Sequence, residues 1–261
     1  MKKRILNVYA TLIVVWLTVP TLILIPISFS AGKSFNFPPS GLSLQWYEEV
    51  FTDPRWLEAI GNSLLVATLT MIVATVLGTA AAIGLSKVRF RGKGVLENLL
   101  LAPMIVPAIV TAIGVYAVFI KFGLLGTLFG FVVAHSVLAI PLVLINVAPS
   151  VQALDARLED AAASLGAAPL TSFFSVTLPL ILPGVTAGAV LAFVTSFDEV
   201  VLAIFIQDAG FRTLPVLIFQ NVNKDSNPAV TAVAVLTMVV TAVLLLLMQR
   251  LARRQRRLLN P

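Results

Sequence analysis

Residues 125–147 read LGTLFGFVVAHSVLAIPLVLINV, with no Lys, Arg, Asp or Glu anywhere in the run. A helix rises about 1.5 Å per residue, and about 20 apolar residues carry it across a hydrocarbon core about 30 Å thick. The run is long enough to do so. Lipid offers no hydrogen-bond partner to peptide N–H and C=O groups, so what crosses it is a helix or a strand of a closed barrel. Barrel strands alternate apolar and polar residues, and this run does not. It is expected to be a transmembrane helix.

On either side, comparable apolar runs occupy about 8–29, 59–86, 96–120, 178–206 and 228–249, which makes six spans in all. The chain of 261 residues is 59% hydrophobic and 11% charged, against about 45–50% and about 25% in an ordinary soluble domain. The fold class is therefore all-α transmembrane, a six-helix bundle. A net charge of +6 does not make the chain a nucleic-acid binder, because its basic residues flank apolar spans instead of alternating with aromatics on a folded polar face. The absence of cysteine rules out disulfides and thiolate metal sites. Met1-Lys2-Lys3-Arg4 ahead of the first run has the outline of a signal peptide. The run is too long for a signal h-region and ends in no small-x-small cleavage site, so an uncleaved first helix is expected.

Six crossings put both ends on one side. Lys2, Lys3, Arg4, Lys87, Arg89, Arg91, Lys93, Arg157, Arg250, Arg253, Arg254, Arg256 and Arg257 fall on that side, and Lys33, Arg55, Lys121, Arg212 and Lys224 on the other. Thirteen of 18 basic residues on one side place both termini in the cytoplasm by the positive-inside rule. In the outer segment, Trp46, Tyr47, Glu48 and Glu49 combine aromatics with acids as an interfacial segment does. Pro103, Pro107 and Pro141 lie within the third and fourth spans, where neighbouring helices re-satisfy freed backbone groups. Ala80-Ala81-Ala82 with Gly78 and Gly84 make a small-residue surface for close helix approach.

The inner segment at about 148–177 reads Leu158-Glu159-Asp160-Ala161-Ala162-Ala163-Ser164-Leu165-Gly166-Ala167-Ala168-Pro169 in its centre. Acids at the start, an Ala-rich middle and a Gly before a Pro predict a short helix with its acids at the positive end of the dipole and Gly166 as its stop. Its small apolar surface suits insertion into a partner's groove.

This segment resembles the shared cytoplasmic loop of ABC importer permeases, whose pattern is Glu-Ala-Ala, three residues, Gly, nine residues, then Ile-x-Leu-Pro. Here Asp160-Ala161-Ala162 is followed after three residues by Gly166, and nine residues later come Val176-Thr177-Leu178-Pro179. Asp160 stands where the family has Glu and Val176 where it has Ile; Glu159 next door leaves open which acid plays the family's part. The resemblance implies a coupling helix at 159–169 that docks on a cytoplasmic ATPase, with Glu159, Asp160, Ala161, Ala162, Gly166, Leu178 and Pro179 as the coupling residues.

Phe90-Arg91-Gly92-Lys93 and Ser196-Phe197-Asp198-Glu199-Val200 resemble the second permease subunit of spermidine/putrescine-type importers. That implies the type I importer fold: residues 1–57 the first helix and outer segment, 58–250 the permease core, and 251–261 a basic cytoplasmic tail. It also implies a homologous second permease, two ATPase subunits that bind ATP and Mg, a periplasmic solute-binding protein and a bacterial inner-membrane location. No cofactor belongs to this chain itself. Rival cargoes are an amino acid, an opine or iron; an ion-coupled secondary transporter is the rival from another class, and it would show paired broken helices in inverted repeats.

Asp198 and Glu199 are the acids deep within an apolar span, where a charge costs several kcal/mol or more. Either a carboxylate here attracts a cationic cargo along a wetted pathway, or it bonds another helix. Adjacent residues on a helix point about 100° apart, so the two carboxylates cannot both face the pore squarely, and Asp198 is preferred as the one that does. His135, the single histidine, lies mid-span and is a candidate for the pathway or for an interhelical hydrogen bond. Phe197 beside the acids is a candidate wall; Tyr116, Phe119 and Phe193 are read as walls or as packing. Gly32-Lys33-Ser34 looks like the end of a phosphate loop, but Ile27 stands where that loop needs Gly. No nucleophile–base pair or metal cluster stands out, so the chain is not expected to be an enzyme.

Overall fold

The structure, a computed structural model, describes residues 2–33, 35–88, 90–155, 157–224 and 228–259. Ser34 of the loop-like tripeptide, Arg89 of the basic count, and Asn260 and Pro261 of the tail lie outside the described residues. The chain forms two compact units, one holding residues up to Ala59 with Val216–Ala242, the other Ile60–Pro215 with residues from Val243.

In the first unit, α1 (Lys2–Ser28) is apolar enough to cross a membrane over Leu6–Ser28. Its Leu12, Trp16 and Leu22 are exposed, as side chains that meet lipid would be. Backbone after α1 turns back through side-chain bonds from α2 (Gln45–Thr52). Trp46 donates its indole N–H to the Ser30 carbonyl at 2.7 Å, and Tyr47 and Ser28 share a hydroxyl bond of 2.8 Å. The sequence suggested Trp46 as an interfacial aromatic, yet it is buried. Its ring packs inward because the buried Ser30 carbonyl supplies the partner that an indole otherwise finds in the headgroup layer. Residues from Val216 of α11 (Leu214–Lys224) and up to Ala242 of α12 (Ala229–Leu259) complete this unit.

The second unit takes up α3 (Pro54–Lys87) from Ile60 onward, then α4 (Lys93–Ile105), α5 (Ala108–Phe122) and α6 (Leu128–Gln152). The expected single span at 96–120 is a broken one: α4 and α5 meet at 105°. Pro107 has no N–H to continue the ladder and forces the residue before it out of helical geometry; Val106 is extended, with φ −71° and ψ 131°. Five long apolar helices plus this bent pair account for up to six spans.

The fifth apolar run also differs from expectation. Helix begins at Pro169, earlier than the 178 read from apolarity, and runs through α8 (Pro169–Ser172), a π turn (Phe173–Thr177) and α9 (Leu178–Phe197). It stops at Asp198, and a separate short α10 (Val201–Ile206) follows. Asp198 and Glu199 therefore sit at a helix break and not on one helical surface.

Three helices meet around Val143 of α6. A Cβ on Gly78 would lie 2.6 Å from the Val143 Cβ, and one on Gly188 would lie 2.9 Å from its Cα. Close approach of α3, α6 and α9 thus depends on those hydrogens, as small-residue packing in membranes requires. Ala74, Ala82, Ala139, Val147 and Ile181 fill the surrounding core. Gly84, expected on the same surface, is exposed with open space around it.

Candidate functional site

Between α6 and α8 stands the short helix α7 (Arg157–Ser164). Its end follows from Gly166, whose φ of +85° is easy for Gly and strained for any other residue. The Ala167 N–H reaches back to the Ala162 carbonyl at 3.0 Å, closing the orphan carbonyls of the last turn. The short helix predicted from the sequence is present, with the predicted stop.

Its two acids behave differently. Glu159 accepts from the Lys87 ammonium at 2.5 and 2.6 Å, and the Thr177 hydroxyl donates to the same carboxylate. Lys87 first, and the Thr177 hydroxyl second, hold the Glu159 carboxyl below its ordinary range. Asp160 is exposed, as are Ala161 and Gly166, while Ala162 is half-buried. Leu178 packs against the core around Val143, and Pro179 lies exposed in the first turn of α9. The second half of the loop pattern is therefore helix, not connection.

Leu165, 90% exposed, stands with exposed Leu170 and Phe174 on the segment from α7 into the π turn. Nothing in the sequence marks these three; what singles them out is exposure next to a stretch of Ala and Gly. Lys87 and Thr177 were also missed as site residues, because nothing in their local sequence ties them to Glu159.

At the second cluster, the helix break, Asp198 is exposed. Glu199 is half-buried and accepts from the Leu202 N–H at 2.8 Å, so it caps α10. Phe197 is only 4% exposed and stacks on Phe193, with centroids 5.8 Å apart and planes 12° apart. His135, 1% exposed, places Nδ1 2.8 Å from the Ser196 hydroxyl. Of the four residues proposed for a pathway, His135 and Phe197 are buried, Glu199 is half-buried and Asp198 is exposed. Among the polar span residues, Asn62 donates to the Arg212 carbonyl at 3.0 Å and Ser63 accepts from the Leu214 N–H at 2.8 Å. No group of three or more metal-ligating side chains occurs among the described residues.

Residues 74–257 match the family described as binding-protein-dependent transport system inner membrane component. The chain belongs to this family. This permease is 31% identical to the spermidine/putrescine transport system permease protein PotC of Haemophilus influenzae, over 95% of its own chain and 96% of that relative. It is 34% identical to the putrescine transport system permease protein PotI of Escherichia coli K12, over 85% of the chain and 81% of the relative.

Among solved structures it resembles a chain of a bacterial ABC transporter involved in import of the acidic polysaccharide alginate, at a TM-score of 0.75 and 18% identity, covering 96% and 97% of the two chains. A chain of the MetNI methionine ABC transporter gives a TM-score of 0.62 at 18% identity, covering 78% and 99%. The permease has the fold of ABC importer permeases and is a multi-pass protein of the bacterial inner membrane.

Proposed function

We propose that this permease forms half of the translocation pathway of an ATP-driven polyamine importer, with both termini in the cytoplasm. The observation that carries the cargo is similarity along nearly the whole chain to relatives named for spermidine/putrescine and putrescine transport. Asp198 supports it: the break in the fifth span leaves an exposed carboxylate where a diffuse polycation gains from nearby negative charge without a tight desolvated site. Irregular backbone at membrane depth is tolerated where it lines a wetted cavity, which fits a pathway wall at 198–200.

A homologous second permease supplies the other half, and a periplasmic solute-binding protein delivers cargo. Two ATPase subunits, which carry ATP and Mg, receive α7 and the exposed Leu165, Leu170 and Phe174; the permease itself hydrolyses nothing. The test is uptake of labelled spermidine and putrescine by the complex reconstituted with its partner subunits in proteoliposomes. ATP-dependent uptake that unlabelled spermidine competes away supports the reading. ATP-dependent uptake of molybdate or an amino acid, with none of spermidine, overturns it.

A further inference from the structure

We infer that Lys87, Glu159 and Thr177 form a strut that carries movement of α7 into the membrane helices, Glu159 facing this chain and not the ATPase. The inference rests on the reading of α7 as the ATPase-docking element.

The physical problem is that α7 is short. Eight residues are fewer than an isolated helix needs to hold together in water, about 12–15, and Gly166 at one end turns the chain sharply. Such an element tilts under load unless something braces it. Among the described residues, the side-chain bonds that tie α7 to other elements all run through the Glu159 carboxylate. On one flank lies a cavity of about 460 Å³ lined by Lys87, Gln152, Leu158, Glu159 and Thr177. On the other lies one of about 390 Å³ lined by Lys87, Glu159, Asp160, Ala163 and Phe173. Open space therefore flanks the Glu159 carboxylate on both sides of α7. The carboxylate bridges the gap.

Where the strut lands matters as much. Lys87 is the last residue of α3, and Thr177 closes the π turn that leads into α9. One-turn π bulges recur where a helix aims a side chain for function; here the turn ends on a buried Thr177 whose hydroxyl reaches Glu159. Both α3 and α9 press on Val143 through Gly78 and Gly188, so a push on α7 reaches two spans that are already locked to a third. The ion pair is partly exposed, with side chains 38% and 34% accessible, and pairs of this kind add little to stability. Removing it should therefore leave a folded permease with a loose α7.

The experiment uses the whole complex in proteoliposomes and reads spermidine moved per ATP hydrolysed, together with ATPase-subunit retention and a melting curve. Lys87→Met, Glu159→Gln and Thr177→Val are compared with the exchange Lys87→Glu/Glu159→Lys. The expected result is a ratio lowered about threefold or more in each of the three single variants, with full subunit retention and a melting curve that shifts only slightly. The exchange should recover most of the loss. An unchanged ratio in the single variants overturns the strut, as does an exchange that recovers nothing.

Gly166→Asp separates the two readings. If it releases the ATPase subunits or lowers the ratio while Lys87→Met does neither, the strut alone is wrong. If Gly166→Asp leaves binding and ratio intact, the docking role of α7 is wrong and the strut falls with it.

Discussion

His135 Nδ1 lies 2.8 Å from the Ser196 hydroxyl, and both side chains are buried between α6 and the end of α9. Ser196 precedes Asp198 by two positions, so this bond holds the end of the helix from which the exposed acid projects. Loss of one partner leaves the other unsatisfied in an apolar interior, which is costlier than losing the pair.

Ser196→Ala is expected to destabilise the permease by about 0.5–1.5 kcal/mol, the range for interhelical hydrogen bonds in membranes, and His135→Ala by more because it also empties volume. His135→Asn, whose amide reaches the Nδ1 position, should recover part of the loss, whereas His135→Gln should not. Thermal unfolding of the purified complex in one detergent, compared across the four variants, checks this.

Gly78→Ala should destabilise strongly for its size. The added methyl meets the Val143 Cβ at 2.6 Å and the Ile140 carbonyl at 3.1 Å, and overpacking of this kind costs about 1–3 kcal/mol. Gly84→Ala, with nothing within 4 Å, should be neutral or slightly stabilising in the same helix. Val143→Ala combined with Gly78→Ala should fare better than Gly78→Ala alone, and a melting series on the four proteins tests the order.

How far the fold was legible follows from these residues. Membrane spans are visible because apolar length is a one-dimensional signal, and α7 because its acids, alanines and Gly166 are contiguous. The 105° break at Val106-Pro107 was not legible, since Pro103, Pro141 and Pro183 sit inside helices of the same protein. What differs at Pro107 is that Val106 before it has left helical geometry, with φ −71° and ψ 131°. Glu199, a pathway candidate from its span, accepts the Leu202 N–H at the start of α10, a contact that exists only once the helix breaks. The Lys87–Glu159 pair joins positions 72 residues apart, and neither residue's neighbourhood announces it.

Acid should loosen the Glu159 contact. Its carboxyl is held below the ordinary value of 4.5, by Lys87 first and Thr177 second. A folded-state value lower than the unfolded one means the contribution is present above the unfolded value and is lost as pH falls through the folded one. The melting difference between the permease and Glu159→Gln should therefore be small but constant above about pH 5 and should shrink below the ordinary carboxylate range. Measuring both proteins from pH 7 to pH 3, as a difference, removes the other carboxylates from the comparison. A gap that widens on acidification would contradict the pairing.

Asp198 is the acid the break leaves exposed, whereas Glu199 spends its carboxylate on the Leu202 N–H. If Asp198 attracts the cationic cargo, Asp198→Asn keeps size and hydrogen-bonding capacity, removes the charge and lowers spermidine uptake while the complex assembles. One charge near a trivalent cation in a partly hydrated site contributes about 1 kcal/mol or more, so a fall of about fivefold is expected. Glu199→Gln should act in the other sense: α10 loses a charged cap, costing about 0.5–2 kcal/mol, and uptake falls only in proportion to the folded complex. Uptake, binding-protein-stimulated ATP hydrolysis and melting are measured on both variants. A lowered melting temperature with proportionate loss of uptake in Asp198→Asn would assign that residue to structure as well. Raising the salt gives an independent sign, because screening weakens attraction at an exposed site: the gap in uptake between the permease and Asp198→Asn should narrow as ionic strength rises, while the stability gap of Glu199→Gln should change little.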